Sequence, residues 1–162
     1  MPATSPPTPH NQLQLYSCMV DLGSTGDRLA SALRQLGLRY SYEPRPEGPG
    51  LWHVPFDLAD GTSVSLTMYV GPLVAGVISV VGDLSTGWIP PDSIPLLRIC
   101  ADLWLTKVIS DGSLVSVTAQ FPADFATPET LRLAIGGVLE GVKRVRNAGS
   151  VKLLGPQQDV RV

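Results

Sequence analysis

Residues 51–82 read LWHVPFDLADGTSVSLTMYVGPLVAGVISVVG, and the period of this stretch decides the fold class. Val64, Leu66, Met68 and Val70 alternate with Ser65, Thr67 and Tyr69, the spacing of a strand with one wet and one dry face. Ala59-Asp60-Gly61 and Gly71-Pro72 interrupt it with turn chemistry. Three strands follow, at 51–58, 62–70 and 73–82, and their short connections make neighbours antiparallel. The stretch from Gly61 to Gly82 carries no charge and is long enough to span a bilayer. Its alternation and its central Gly71-Pro72 argue for two strands instead of one helix. The run Leu73 to Val81 is nearly all apolar, which marks it as the most buried strand of the set.

Outward from the strands, the period changes to that of helices. On the N-terminal side, Ser24 to Leu36 places Leu29, Ala32, Leu33 and Leu36 on one face and stops at Gly37. A short extended piece at 39–43 and the loop PRPEGPG (44–50) lead into the first long strand. On the C-terminal side, a loop holding Trp88 and Pro90-Pro91 precedes a helix from Ser93 to Trp104. Ile94, Leu97, Ala101 and Trp104 line one side of that helix, while Leu96, Ile99 and Leu103 line another. A helix apolar on two sides needs cover on both. Asp111-Gly112 between two β-branched runs signals a further hairpin, 105–110 with 113–121. Thr127-Pro128-Glu129 then opens a last helix with a cap and a first-turn proline. Its stripe is Leu131, Ile135, Val138, Leu139, Val142 and Val145. The order α–β–β–β–α–β–β–α predicts an α+β fold, an antiparallel sheet with helices packed on it.

The chain has 162 residues, which suits one domain. We expect a disordered Pro-rich tail at 1–11, a single domain at 12–148 and a flexible tail at 149–162. Residues 1–9, MPATSPPTP, show no basic or apolar region of a secretory signal, so a soluble, cytoplasmic protein without membrane attachment is expected. The formal charge is −2, which disfavours a general binder of the phosphate backbone. The only basic cluster, Arg132, Lys143, Arg144 and Arg146, reads first as a solvated helix end. Apolar residues reach 44% and charged ones only 16%, too little charge to coat a lone surface, so an oligomer is expected.

Chemistry is sparse. The two histidines, His10 and His53, have no second ligand at metal spacing, and neither a metal nor a cofactor is expected. Cys18 and Cys100 fit no metal motif. A Cys–His pair would have to assemble in space, and Cys100 lies in an apolar helical pattern where a thiol is poorly reactive. Asp57 and Asp60 bracket a hairpin end, and turn formation explains Asp60 without catalysis. No catalytic residues are therefore assigned. Trp52 and Trp88, at a strand start and in a Pro-rich loop, are candidate partner anchors.

Three stretches together, DRLASALRQLGLRY (27–40), the meander at 51–71, and IPLLRICADLWLTKVISDGSLVSVTAQFP with the helix after it, resemble the YbjN-like family, whose architecture is that of type III secretion chaperones. The resemblance covers roughly 20–146. It implies a homodimeric, non-enzymatic protein that binds another protein, in some cases linked to bacterial stress responses, with no family catalytic residues to carry over. The expected dimer or partner surface draws on Leu96, Ile99 and Leu103 of the second helix or Val77 of the third long strand, with Trp52 and Trp88. Two other readings stay open: an enzyme or small-ligand binder with a pocket between sheet and helices, and, less favoured, nucleic-acid binding through Lys143, Arg144 and Arg146.

Overall fold

The computed structural model describes residues 22–103 and 105–151. The expected tail at 1–11, Cys18 and Trp104 lie outside them. Helix α1 (Leu22–Gln35) is followed by strands β1 (Ser41–Glu43), β2 (Leu51–Asp57), β3 (Ser63–Val70) and β4 (Val74–Asp83). A short strand β5 (Trp88–Ile89) leads into helix α2 (Ser93–Asp102). Then come β6 (Thr106–Asp111), β7 (Leu114–Pro122), helix α3 (Pro128–Ala148) and a last short strand, β8 (Ser150–Val151). Six strands form one antiparallel sheet in the order β1-β2-β3-β4-β7-β6, and β5 pairs with β8 apart from it. The expected α+β architecture is the observed one.

Turn chemistry fixes the register. Gly61 and Gly112 take positive φ, at 82° and 59°, in the two hairpin loops. Asp111 pairs with Leu114, so the loop proper is Gly112-Ser113, one residue later than the Asp111-Gly112 expectation. Helix α1 ends in a Schellman arrangement at Gly37, φ 69°. The Gly37 N–H donates to the Arg34 carbonyl at 2.9 Å and the Leu38 N–H to the Leu33 carbonyl at 3.0 Å. Thr127 caps α3, its hydroxyl accepting from the Thr130 N–H at 3.2 Å, with Pro128 in the first turn.

The register puts Trp52, Met68, Val77, Ala119 and Thr106 on one row and one face of the sheet. Leu29 and Leu33 of α1, and Leu131, Ala134, Val138, Val142 and Val145 of α3, are buried with that face. Each large aliphatic side chain so buried stabilises by about 1.5–3 kcal/mol. The next row, His53, Thr67, Ile78, Thr118 and Lys107, points to the other face. That face is largely polar, and an antiparallel sheet can leave such a face to water. The strand expected to be the most buried, β4, therefore buries Ala75, Val77 and Val81, while Val80 is exposed.

Two departures from expectation concern the chain ends. Gly149 to Val151 do not begin a free tail: the Gly149 N–H donates to Val145 at 2.9 Å, and Ser150–Val151 pair with β5. The signal was slight, because two-residue strands have no period. The second departure is what pins them. Trp88 fills the space over both Gly82 and Gly149, and a Cβ added to Gly149 would stand 2.8 Å from its ring.

Of the three interior glycines of helix α3, Gly136 and Gly141 lie in opposite settings. A Cβ on Gly141 would lie 2.7 Å from Val117 Cγ1, whereas one on Gly136 meets nothing within 4 Å. Gly136→Ala should therefore stabilise the fold by about 0.5–1 kcal/mol through helix propensity. Gly141→Ala should destabilise it by about 1–3 kcal/mol through overpacking. Urea unfolding of the two variants checks the opposite signs.

Candidate partner-binding surface

The surface is built around α2. Its first turn accommodates Pro95 because the amides there have no helical partner. The helix ends at Asp102, Leu103 is extended, and Leu105 carries a φ of 55°, so the chain reverses sharply into β6. Arg144 of α3 holds the end of α2. Its guanidinium donates to Asp102 Oδ2 at 3.1 Å and to Glu140 Oε1 at 2.8 Å. The hydrogen bond that Arg144 donates to Glu140, then the charge of Glu140 and the bond to and charge of Asp102, raise the already high Arg144 pKa.

Held there, α2 presents two different sides. Ile99 is buried, and Leu96, Cys100 and Leu103 are half-buried. The other stripe faces outward: Ile94 is 67% exposed and Leu97 69%, with Ala101 exposed one turn further on. Between α2 and the sheet runs a groove of about 510 Å³, lined mainly by Leu84, Pro90, Leu96, Leu97, Cys100 and Val108. Ile109 lines it too and, 40% exposed, carries the apolar surface around the edge strand β6.

The wall of the groove at Leu84 depends on a tight turn. Asp83 Oδ1 accepts from the Ser85 amide at 2.8 Å and from the Ser85 hydroxyl at 2.6 Å. Gly87, φ 82°, closes the turn onto the Leu84 carbonyl. These bonds to Ser85 hold the Asp83 carboxyl below its ordinary range.

The residues expected to form the surface divide accordingly. Val77 is fully buried at the centre of the core. Trp52 is 4% exposed, packed beneath Gly26 and against Tyr42 with ring centroids 5.2 Å apart. Neither reaches solvent in this protomer, because both lie on the dry row of the sheet, and Ile99 points inward with them. Trp88 is half-buried and serves as the wedge over Gly82 and Gly149. Leu96 and Leu103 are partly accessible, and Leu96 lines the groove. The outward stripe of Ile94 and Leu97 was visible as a stripe in the sequence; which stripe faces out was not, because both are apolar.

Other candidates separate. His53 bonds Thr67 Oγ1 at 3.0 Å and Glu43 Oε2 at 2.9 Å. Four strand spacings, roughly 19 Å, lie between its strand and β6, beside which Cys100 sits, so the two do not form a pair. Asp57 accepts from the Ser63 hydroxyl at 2.7 Å, and Asp60 accepts from Thr62. The Thr62 bonds lower the Asp60 pKa, the reverse of what a general acid needs. Among the described residues no three His, Cys, Asp or Glu side chains gather as a metal would require, and no helix is long and apolar enough to cross a membrane. Of the basic cluster, Arg144 is engaged in ion pairs.

No family model and no curated protein matches the chain, so the YbjN-like reading stays a resemblance. A solved structure does match in fold, and a second is similar at a lower score. A chain of the crystallised ExsC–ExsE complex superposes with a TM-score of 0.53 at 17% identity, covering 78% of this chain and 94% of that one. The Yersinia pestis type III secretion chaperone SycH, in complex with a stable fragment of YscM2, gives 0.48 at 16% identity over 75% and 98%. At such identities the likeness is one of architecture.

Because the Asp83 pKa is depressed on folding, its stabilisation is present above the ordinary carboxylate range and is lost as pH falls through the folded value. The Ser85 amide shift, followed by NMR from neutral to acid pH, should titrate below the midpoint of an unstructured aspartate. A midpoint at or above it would refute the capping role.

Proposed function

We propose that this chain is a non-enzymatic, chaperone-like protein-binding domain that pairs with a second copy of itself through α2. The observation that carries the reading is the outward stripe of Ile94 and Leu97, continuous with the apolar groove below it. Burying two such side chains contributes about 1.5–3 kcal/mol each, and contiguous apolar surface of this kind marks interaction sites. The fold likeness to a chain crystallised in the ExsC–ExsE complex supports a protein partner. The resemblance to YbjN-like proteins carries the remaining expectations: a bacterial cytoplasmic setting and a part in a stress response.

One observation favours a second reading. The open sheet face and the 44–50 loop enclose a trough of about 700 Å³, lined by Arg45, Thr67, Tyr69, Lys107, Thr118 and Gln120 among others. Two cations against the single carboxylate of Glu47, with several hydroxyls, suit a small anionic ligand. Saturable thermal stabilisation by such a compound, lost in Lys107→Ala, would favour that reading over the first.

Light scattering of the purified chain at micromolar concentration should return twice the 17.2 kDa protomer mass. Ile94→Asp should return the single mass with an unchanged circular dichroism spectrum, since residue 94 is exposed in the protomer and a charge is costly only when the interface buries it. A single mass for the unaltered chain would overturn the pairing.

A further inference from the structure

Gly76 stands between Tyr69 and Gln120 in one cross-strand row on the open face of the sheet. A Cβ there would lie 2.6 Å from the Tyr69 hydroxyl oxygen and 2.9 Å from the Ala119 carbonyl, so glycine is what leaves room for the phenol to cross the strand. Gln120 meets it with a bond of 2.6 Å. The strands of Tyr69 and Gln120 are two spacings apart, roughly 10 Å, and the ring must lie along the sheet to bridge them. One of its faces therefore rests on Gly76, and the other looks into the trough that Tyr69 and Gln120 line. The bridge uses the hydroxyl oxygen and one amide N–H. It leaves the Tyr69 hydroxyl hydrogen and the second Gln120 N–H without an acceptor among the described residues. Turning the amide over would free both of its N–H groups instead, so two donors remain at this point in either orientation.

Charge is placed beside them. Lys107 stands opposite Thr118, on the diagonal from Gln120 at about 7–8 Å, within reach of a lysine side chain. Among the described residues it makes no ion pair, and neither do Arg45 and Glu47, the other charged residues of the trough. Arg45 and Glu47 sit two residues apart in the 44–50 loop and offset one another. One cation is thus left uncompensated, next to two neutral donors. That set matches a single negative charge spread over two oxygens, as in a carboxylate; a phosphate dianion calls for more than one cation.

We propose that the trough binds a flat aromatic monocarboxylate. Its oxygens take the Lys107 ammonium and the donors of the Tyr69–Gln120 pair, and its ring lies on the Tyr69 ring, directed back towards Leu51 and Pro49 at the loop side of the trough. The inference narrows the small-anion reading of this trough and rests on it.

The test is isothermal titration of the full chain with cinnamate and with its neutral isostere cinnamide. Cinnamate should bind saturably at millimolar concentration, and cinnamide at least about tenfold more weakly. Lys107→Gln should weaken cinnamate by about tenfold, and Tyr69→Phe, which keeps the ring and removes the hydroxyl, by about fivefold. Lys107 is exposed, so the first variant should keep the circular dichroism spectrum of the parent, and the comparison of acid with amide on the unaltered chain needs no variant at all. Equal affinity for cinnamate and cinnamide, or cinnamate binding unchanged in Lys107→Gln, would overturn the proposal. Inorganic phosphate and adenosine monophosphate are titrated alongside. Binding of either one, weakened in Lys107→Gln, with no binding of cinnamate overturns the carboxylate assignment and leaves the small-anion reading standing. No binding of any of the three overturns both.

Discussion

The close crossing of α3 over β7 at Gly141 is the constraint on which the rest of the structure depends. With Val117 Cγ1 at 2.7 Å from where a Cβ would stand, the helix lies nearer the sheet than any side chain at that position permits. Leu131, Ala134, Val138, Val142 and Val145 then reach the dry row of β4 and β7 over about four turns. The same closeness brings Gly149 beneath Trp88, which ties the helix end to β4 and turns the chain back to pair with β5. One glycine without a side chain thus sets the depth at which the longest helix sits, and the C-terminal end of the fold follows from it.

That depth also determines what α2 can do. The short helix is placed beside α3 by Arg144, which reaches both Asp102 and Glu140, and it contributes Ile99 to the common core. Since α1 and α3 already cover the dry face, no second layer is left among the described residues for the stripe of Ile94 and Leu97. An apolar stripe in this position costs solubility unless something beyond the described residues covers it.

Much of this was legible from local chemistry. The hairpins followed from alternation and from glycines at positive φ, the end of α1 from Gly37, and the start of α3 from Thr127-Pro128. What was not legible depended on three-dimensional placement. Trp52 begins a strand in sequence, where it reads as exposed, yet the register sets it opposite Met68 on the dry face. Val77 and Ile99 were drawn into the expected surface for being apolar, and both are core. In α2 either stripe satisfied the helical period, so the choice between them rested on where Arg144 anchors the helix. The pairing of β5 with β8 involves two residues on each side, too few for any pattern to show.

The two faces of the molecule divide by chemistry in a way that bears on where binding occurs. Several polar groups of the open sheet face are already bonded: Gln120 donates to the Tyr69 hydroxyl at 2.6 Å, His53 bridges Thr67 and Glu43, and the Thr118 hydroxyl donates to the Val77 carbonyl at 3.0 Å. Tyr69 lies across Gly76, so the central strand is shielded there by the protein's own ring. A protein partner laid on this face would have to displace water from satisfied polar groups, which brings little gain. On the α2 side the water lies against Ile94, Leu97, Leu84 and Ile109, and its release is favourable in proportion to the apolar area covered. Among the described residues β6 is the last strand of the sheet, and its outer edge adjoins the same surface, where an incoming strand could pair with it. The driving force and the directional hydrogen bonds for association therefore lie together, on one side of the fold.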